Sequence, residues 1–160
     1  MIRSEPRTNG HTSETVGLDP LTGVWNRTGF IAAATPVFVS CRRRNAPIAL
    51  AYFDFQLTRD HADDASSVDR ILLGMAELLR RTFRTSDVIG RVDRFRFAVL
   101  LSDCIDDALA AVDGVRGLTD ATAPERLTLT AGMVRGTNHA TLDDLMRATD
   151  AHIRSIMRAE

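Results

Sequence analysis

At 160 residues, with 21 acids, 20 bases and a formal net charge of −1, the chain has the size of one domain and lacks the basic surplus of a general nucleic-acid binder. No apolar run approaches the roughly 20 residues of a membrane span, and the N-terminus "MIRSEPRTNGHTSETVG" lacks the apolar core of a secretory signal, so a cytoplasmic protein is expected. Its two cysteines, Cys41 and Cys104, form no ligand pattern and read as free thiols in a reducing compartment.

Residues 1–17 are polar and aperiodic, as in a flexible tail or linker, and residues 18–160 form the expected domain. Asp19-Pro20 marks a turn, and Asn26 is placed to cap a helix running to "CRRR" at 41–44. Pro36 should kink or split that helix, and the arginines at its end suit the helix dipole. "PIALAYFDF" (47–55) is an apolar run of the kind that forms a strand buried on both faces. A polar loop follows, and then the helix "SSVDRILLGMAELLRRTF". Ser66 and Asp69 suggest its capping box, with Ile71, Met75, Leu78, Leu79 and Phe83 inward.

"DVIGRV" and "FRFAVLL" read as two strands joined by a short polar tip that contains no glycine. "CIDDALAAVDGV" reads as a helix with Ile105, Leu109 and Val112 inward. "RLTLTAGMV" alternates as a strand does. "TLDDLMRATDAHIRSIMRA" reads as a closing helix, with Thr141 and Asp144 as its capping box and a stripe from Leu142 to Ile156 buried. The order α-β-α-β-β-α-β-α contains a βαββαβ core. It predicts an α/β (α+β) fold with one mixed central sheet flanked by helices.

Three places carry candidate chemistry. Asp54 lies near the end of the buried strand, where a carboxylate can hold a metal that in turn holds phosphate. The tip nearby offers Asp93, Arg94, Phe95 and Arg96, and an arginine beside Asp54 would neutralise it better than a cation from solution. A structural ion pair is therefore the expected role of Asp54. "RDHADD" (59–64) has acids and a histidine, but its spacing fits no standard metal site, and a solvated loop explains it. Arg84 and Asp87 lie three residues apart before the first hairpin strand. Together they could read a guanine edge, or form an ordinary salt bridge. Every basic residue is arginine, which suits forked contacts to phosphate or guanine and follows equally from codon bias.

In order, "DPLTGVWNRTGF", "PIALAYFDF", "RTSDVIGRVDRFRFAVLLSD", "LTLTAGMV" and "ATLDDLMRATDAHI" resemble the GGDEF family, the diguanylate cyclase domain of bacterial signalling. The resemblance covers residues 19 to about 158 and implies a fold related to nucleotidyl cyclases and the polymerase palm. It also implies that the cyclase site is degenerate. Asp93 and Arg94 stand where the family has its two glycines, and Phe95 and Arg96 stand at its two acids, leaving Phe97 alone unchanged. Asp54 matches the family's metal-binding aspartate, but Gln56 replaces the second acid. Asp69 matches the aspartate of the family's Gly-Asp pair. The lysine after the strand appears as Arg59, and the phosphate-contacting lysine of the last helix aligns with Met157.

The family's inhibitory R-x-x-D site, which binds the product cyclic di-GMP, matches Arg84 and Asp87 position for position. Arg116 lies one residue from a further arginine of that site. The resemblance thus implies an inactive domain that needs no cofactor or magnesium and binds cyclic di-GMP, as a receptor in a signalling pathway. The ligand could bridge two copies into a dimer, and a protein partner of unknown identity would read the signal. Two other readings remain open. The first is a protein-interaction module that binds no nucleotide, docking through Arg91, Arg94, Phe95 and Arg96. The second is GTP binding without turnover, with Arg94 or Arg96 supplying the charge of a metal.

Overall fold

The computed structural model describes residues 16–57, 64–103, 105–122 and 127–160. The expected tail up to residue 15, most of the "RDHADD" loop with Arg59, and Cys104 lie outside the described residues. In chain order the elements are β1 (Trp25–Asn26), α1 (Arg27–Arg44), β2 (Ile48–Leu57), α2 (Ala65–Thr82), β3 (Val88–Asp93), β4 (Arg96–Ser102), α3 (Ala108–Thr122), β5 (Leu127–Arg135) and α4 (Leu142–Ala159). The five strands form one sheet in the order β1-β3-β4-β2-β5. Strand β1 runs parallel to β3, and the other neighbours are antiparallel, so the sheet is mixed as expected.

The period-2 geometry of β2 divides the core. Ala49, Ala51, Phe53 and Phe55 pack towards α2 and α3, and Ile48, Leu50 and Tyr52 towards α1 and α4. An apolar run can form such a strand because helices cover both faces of the sheet. Central strand β2 pairs with β4 from Ile48↔Ser102 to Asp54↔Arg96, and with β5 along its other edge. Asp54 and Arg96 are thereby placed opposite each other, on the α1/α4 face.

Several sequence expectations are corrected. Pro36 does not split α1, which runs unbroken from Arg27 to Arg44. Pro36 lies on the exposed side of α1, so the carbonyl that loses its intrahelical donor can turn to water. Helix α2 is capped by Asp64 rather than by a Ser66/Asp69 box. Its carboxylate accepts from Ser66 N (3.2 Å), Ser66 Oγ (2.9 Å) and Ser67 Oγ (2.7 Å). Leu109 of α3 is 57% exposed, and the inward positions are Ile105, Ala108, Val112 and Val115.

Other expectations hold. The Asn26 side chain accepts from Gly29 N at 2.8 Å and caps α1, and Thr141 Oγ1 accepts from Asp144 N at 3.1 Å and caps α4. The basic end of α1 is Arg42, Arg43 and Arg44. Cys41 is a buried free thiol, and burial pushes its pKa up, which makes it a core residue and not a nucleophile. The boundary of the expected tail is corrected: Val16 and Gly17, placed in it, are bonded to the start of the domain, with Asn26 Nδ2 donating to Val16 O (3.0 Å) and Asn26 N to Gly17 O (2.9 Å).

Candidate functional site

The hairpin tip is built without glycine because a bulge replaces the usual turn. Asp93 pairs with Arg96 across a two-residue link, Arg94–Phe95, and the register shifts between Arg91 and Asp93. Neither link residue has a positive φ. The twist that a glycine-bearing primed turn would supply is taken up by the extra residue on β3. Three further contacts fix the tip. Asp93 Oδ1 accepts from Arg94 N at 2.7 Å. Arg91 donates to Arg94 O through Nε (3.1 Å) and Nη2 (2.9 Å). Phe55 N, on β2, donates to Phe95 O at 3.0 Å.

Phe95 is half-buried, set edge-on against Phe55 with ring centroids 5.5 Å apart, and Phe55 in turn stacks on the fully buried Phe97. The Arg94 guanidinium lies over the outer face of Phe95, 4.9 Å from its centroid. Phe95 therefore belongs to the edge of the α2/α3 core and is not a free aromatic anchor. Asp93 and Arg94 are exposed.

Arg96 points to the other face and carries the electrostatics of the tip. Its Nη2 donates to Asp54 Oδ2 at 2.8 Å and its Nη1 to Asp150 Oδ1, on α4, at 2.7 Å. Asp150 Oδ2 also meets Arg154 Nη2 at 2.6 Å. The guanidinium lies over the Tyr52 ring, 5.0 Å from its centroid, and its Nε is buried with no hydrogen-bond partner among the described residues. Burial pulls the Arg96 pKa down, but hydrogen bonds and charge from Asp54 and Asp150 outweigh it, and the net shift is upward. The ion pair expected for Asp54 is thus present, and the position opposite it holds a permanent cation. Asp69 lies apart from this cluster on the exposed side of α2. Among the described residues there is no group of three or more His, Cys, Asp or Glu that could hold a metal ion.

Arg91 ties the tip to the first loop. Its Nη1 reaches Asp19 Oδ1 and Oδ2 at 3.2 and 3.3 Å, while Asp19 also accepts from Thr22 N (3.0 Å) and Thr22 Oγ1 (2.6 Å). Burial raises the Asp19 pKa, yet the Thr22 bonds and the Arg91 charge hold it below the ordinary carboxylate value. No sequence spacing signals this pair, because its members are 72 residues apart.

Arg84 and Asp87 form one unit on the turn between α2 and β3. Asp87 Oδ2 accepts from Arg84 N (2.9 Å), Asp87 Oδ1 from Arg84 Nη2 (3.4 Å), and Arg84 Nη2 also donates to Ser102 O (2.7 Å). The Asp87 side chain is 1% exposed and that of Arg84 is 48% exposed. Asp87 is therefore bonded to Arg84 from a buried position, and Arg84 is the more accessible of the two. The unit separates two cavities. One, of about 280 Å³, adds Asp107, just before α3, and Ala111 of α3 to its walls. The other, of about 480 Å³, adds Trp25, Arg80 and Ile89.

Arg116 borders neither cavity. It lies about 12 Å along α3 from Ala108, and its Nη2 donates to Ala131 O on β5 at 2.7 Å.

The profile of the diguanylate cyclase GGDEF domain matches residues 16–159. The chain belongs to the GGDEF family. Solved GGDEF structures share the fold. The coiled coil and GGDEF domain of DgcB from Caulobacter crescentus, in complex with c-di-GMP, is 15% identical, with a TM-score of 0.79 over 89% of this chain and 81% of that one. The GGDEF domain of PA1120 (TpbB or YfiN) from Pseudomonas aeruginosa is 24% identical, with a TM-score of 0.76 over 89% of this chain and 90% of that one. Diguanylate cyclase SiaD from P. aeruginosa, in complex with its activator SiaC, is 22% identical, with a TM-score of 0.77 over 91% of this chain and 60% of that one. No curated protein sequence matches this GGDEF chain.

Proposed function

We propose that this GGDEF domain does not make cyclic di-GMP and instead binds it, as a receptor, at Arg84. The observation that carries the reading is the contrast between two arginines. Arg96, at the tip, is held by Asp54 and Asp150 and is 18% exposed, whereas Arg84, though bonded to Asp87 and Ser102, keeps 48% exposure between two cavities. A guanidinium held by a buried carboxylate is oriented before the ligand arrives, and arginine is the side chain that donates to guanine O6 and N7. Catalysis by metal-bound GTP is disfavoured by the same geometry, because a divalent ion at Asp54 would have to displace or tolerate Arg96. The DgcB complex supports the ligand class by analogy. The role of Asp87 in this reading is to hold Arg84. Arg116, bonded to β5, contributes no contact that the reading needs.

A docking module that binds no nucleotide is less well supported, since Phe95 is packed on Phe55. GTP binding without turnover would have to take Arg96 from its two carboxylates or rely on Arg94 alone.

Calorimetric titration of cyclic di-GMP into the wild type and into Arg84→Ala tests the receptor reading. Saturable heat that Arg84→Ala abolishes is the expected result, and a wild type that takes up no ligand refutes it. Product formation from GTP with magnesium or manganese would refute the claim of inactivity.

A further inference from the structure

We infer that Trp25 is a contact residue of the site at Arg84: its indole is the stacking wall for a guanine base of the ligand, which occupies the cavity on the β1 side of the Arg84 turn. The inference rests on the receptor reading above and adds to it which cavity is used and what recognises the base.

Charge separates the two cavities. The smaller sets Arg84 against two acids, Asp87 and Asp107. The larger sets two arginines, Arg80 and Arg84, against Asp87 alone, whose carboxylate already serves Arg84. A ligand with two phosphates is favoured in the second. That cavity is also the roomier, about 480 against 280 Å³. Its remaining walls are largely apolar, with Leu18, Val24, Phe83 and Ile89. Apolar walls with a few convergent polar groups are what a flat heterocycle with a charged edge requires.

Trp25 is 38% exposed and is the only tryptophan of the chain. It is not a loose surface side chain. Its backbone pairs with Gly90 in the sheet and is bridged to Leu18. The edge of its ring lies against two glycines. A Cβ built on Gly29 would fall 2.7 Å from Trp25 Cε3, and one built on Gly17 would fall 3.1 Å from Cζ3. The indole is thus seated on bare backbone, fixed in orientation, and borders the same cavity as Arg84. A rigid aromatic loses little entropy on stacking. Arg80, whose Nη2 donates to Thr22 O at 2.8 Å, adds a second cation to the rim within reach of a phosphate. Stacking tolerates any base, so the choice of guanine falls to Arg84.

The single tryptophan supplies the experiment. Cyclic di-GMP is titrated into the full chain while emission is followed, and the same titration is done by calorimetry on the wild type, Trp25→Phe, Trp25→Ala and Arg84→Ala. The inference expects emission to change with the calorimetric midpoint, Trp25→Phe to retain most of the affinity, and Trp25→Ala to bind about 5- to 10-fold more weakly. Heat that Arg84→Ala abolishes, with constant emission and with Trp25→Phe and Trp25→Ala at wild-type affinity, overturns this inference and leaves the receptor reading standing. A wild type that binds nothing overturns the receptor reading and this inference with it. The emission arm uses the unmodified protein, so poor folding of Trp25→Ala does not shield the inference.

Discussion

Arg96 and Asp54 face each other across β4 and β2, and the guanidinium that meets Asp54 at 2.8 Å also meets Asp150 of α4 at 2.7 Å. One side chain therefore joins a strand end, a hairpin tip and the last helix. Breaking a buried pair from one side costs about 3–5 kcal/mol. These groups keep some exposure, so Arg96→Ala should cost about 2–3 kcal/mol. Urea unfolding measures this. The double variant Arg96→Ala/Asp54→Ala should lose less than the sum of the single losses, because the carboxylate is no longer left unpaired.

Tyr52, the only tyrosine, gives a prediction on the alkaline side. Burial pushes its pKa up to about 12 from an ordinary 10.0, against the opposing charges of Arg96 and Arg27. The folded state thus holds the phenolic proton more tightly than the unfolded state. Its contribution to stability is complete below pH 10 and is lost as pH rises from about 10 to about 12. Ultraviolet absorbance should show a phenolate appearing near pH 12, and Tyr52→Phe should flatten the fall in stability over that window.

Asp19 predicts the acid side. Its folded pKa lies below the ordinary value of 3.8, so its contribution is complete above that value and is lost as pH falls through the folded pKa. Asp19→Asn should be less stable at neutral pH and should lose less further stability on acidification. Thermal melts at neutral and acid pH, run beside the wild type, check both.

The first loop and α1 meet so closely that only glycine fits at position 29. A Cβ there would lie 2.0 Å from Gly17 O, a backbone atom that cannot turn aside. Gly29→Ala should cost about 1–3 kcal/mol and shift the emission of Trp25 even without ligand. Denaturation followed by that emission reads both effects.

Leu109 marks the outer face of α3. Being exposed on α3, it should accept Leu109→Glu within about 0.5 kcal/mol, whereas Val112→Glu, at a fully buried position, should prevent stable folding. Expression in soluble form and thermal melts distinguish them.

The layers of this fold were readable because its signals are local. The period of 2 along β5, the unbroken apolar run of β2 and the capping positions Asn26 and Thr141 each depend on neighbours within a few residues. Leu109 was misjudged because apolar residues occur on more than one side of α3, and periodicity alone could not choose the face. The two-residue β1 has no periodicity to detect. Asp54 opposite the tip followed from a strand end meeting a hairpin. Asp150 and Asp19, by contrast, reach their arginines over 54 and 72 residues, and only the tertiary fold brings them there. The division of labour between a buried Asp87 and an accessible Arg84 was equally hidden, since spacing shows that two residues can meet but not which one is left facing solvent.

The bond between Arg96 and the carboxylates has a further consequence for how the domain behaves in a cell. A dissolved ion visits a site in proportion to its concentration, whereas a side chain on β4 is held opposite Asp54 by the strand register itself. The expectation is a tip whose shape is indifferent to magnesium and GTP supply, testable as equal melting temperatures with and without either. On the receptor reading proposed above, such a domain is a fixed frame at the tip, and any response to ligand falls to the Arg84 turn and to Trp25 on the neighbouring β1.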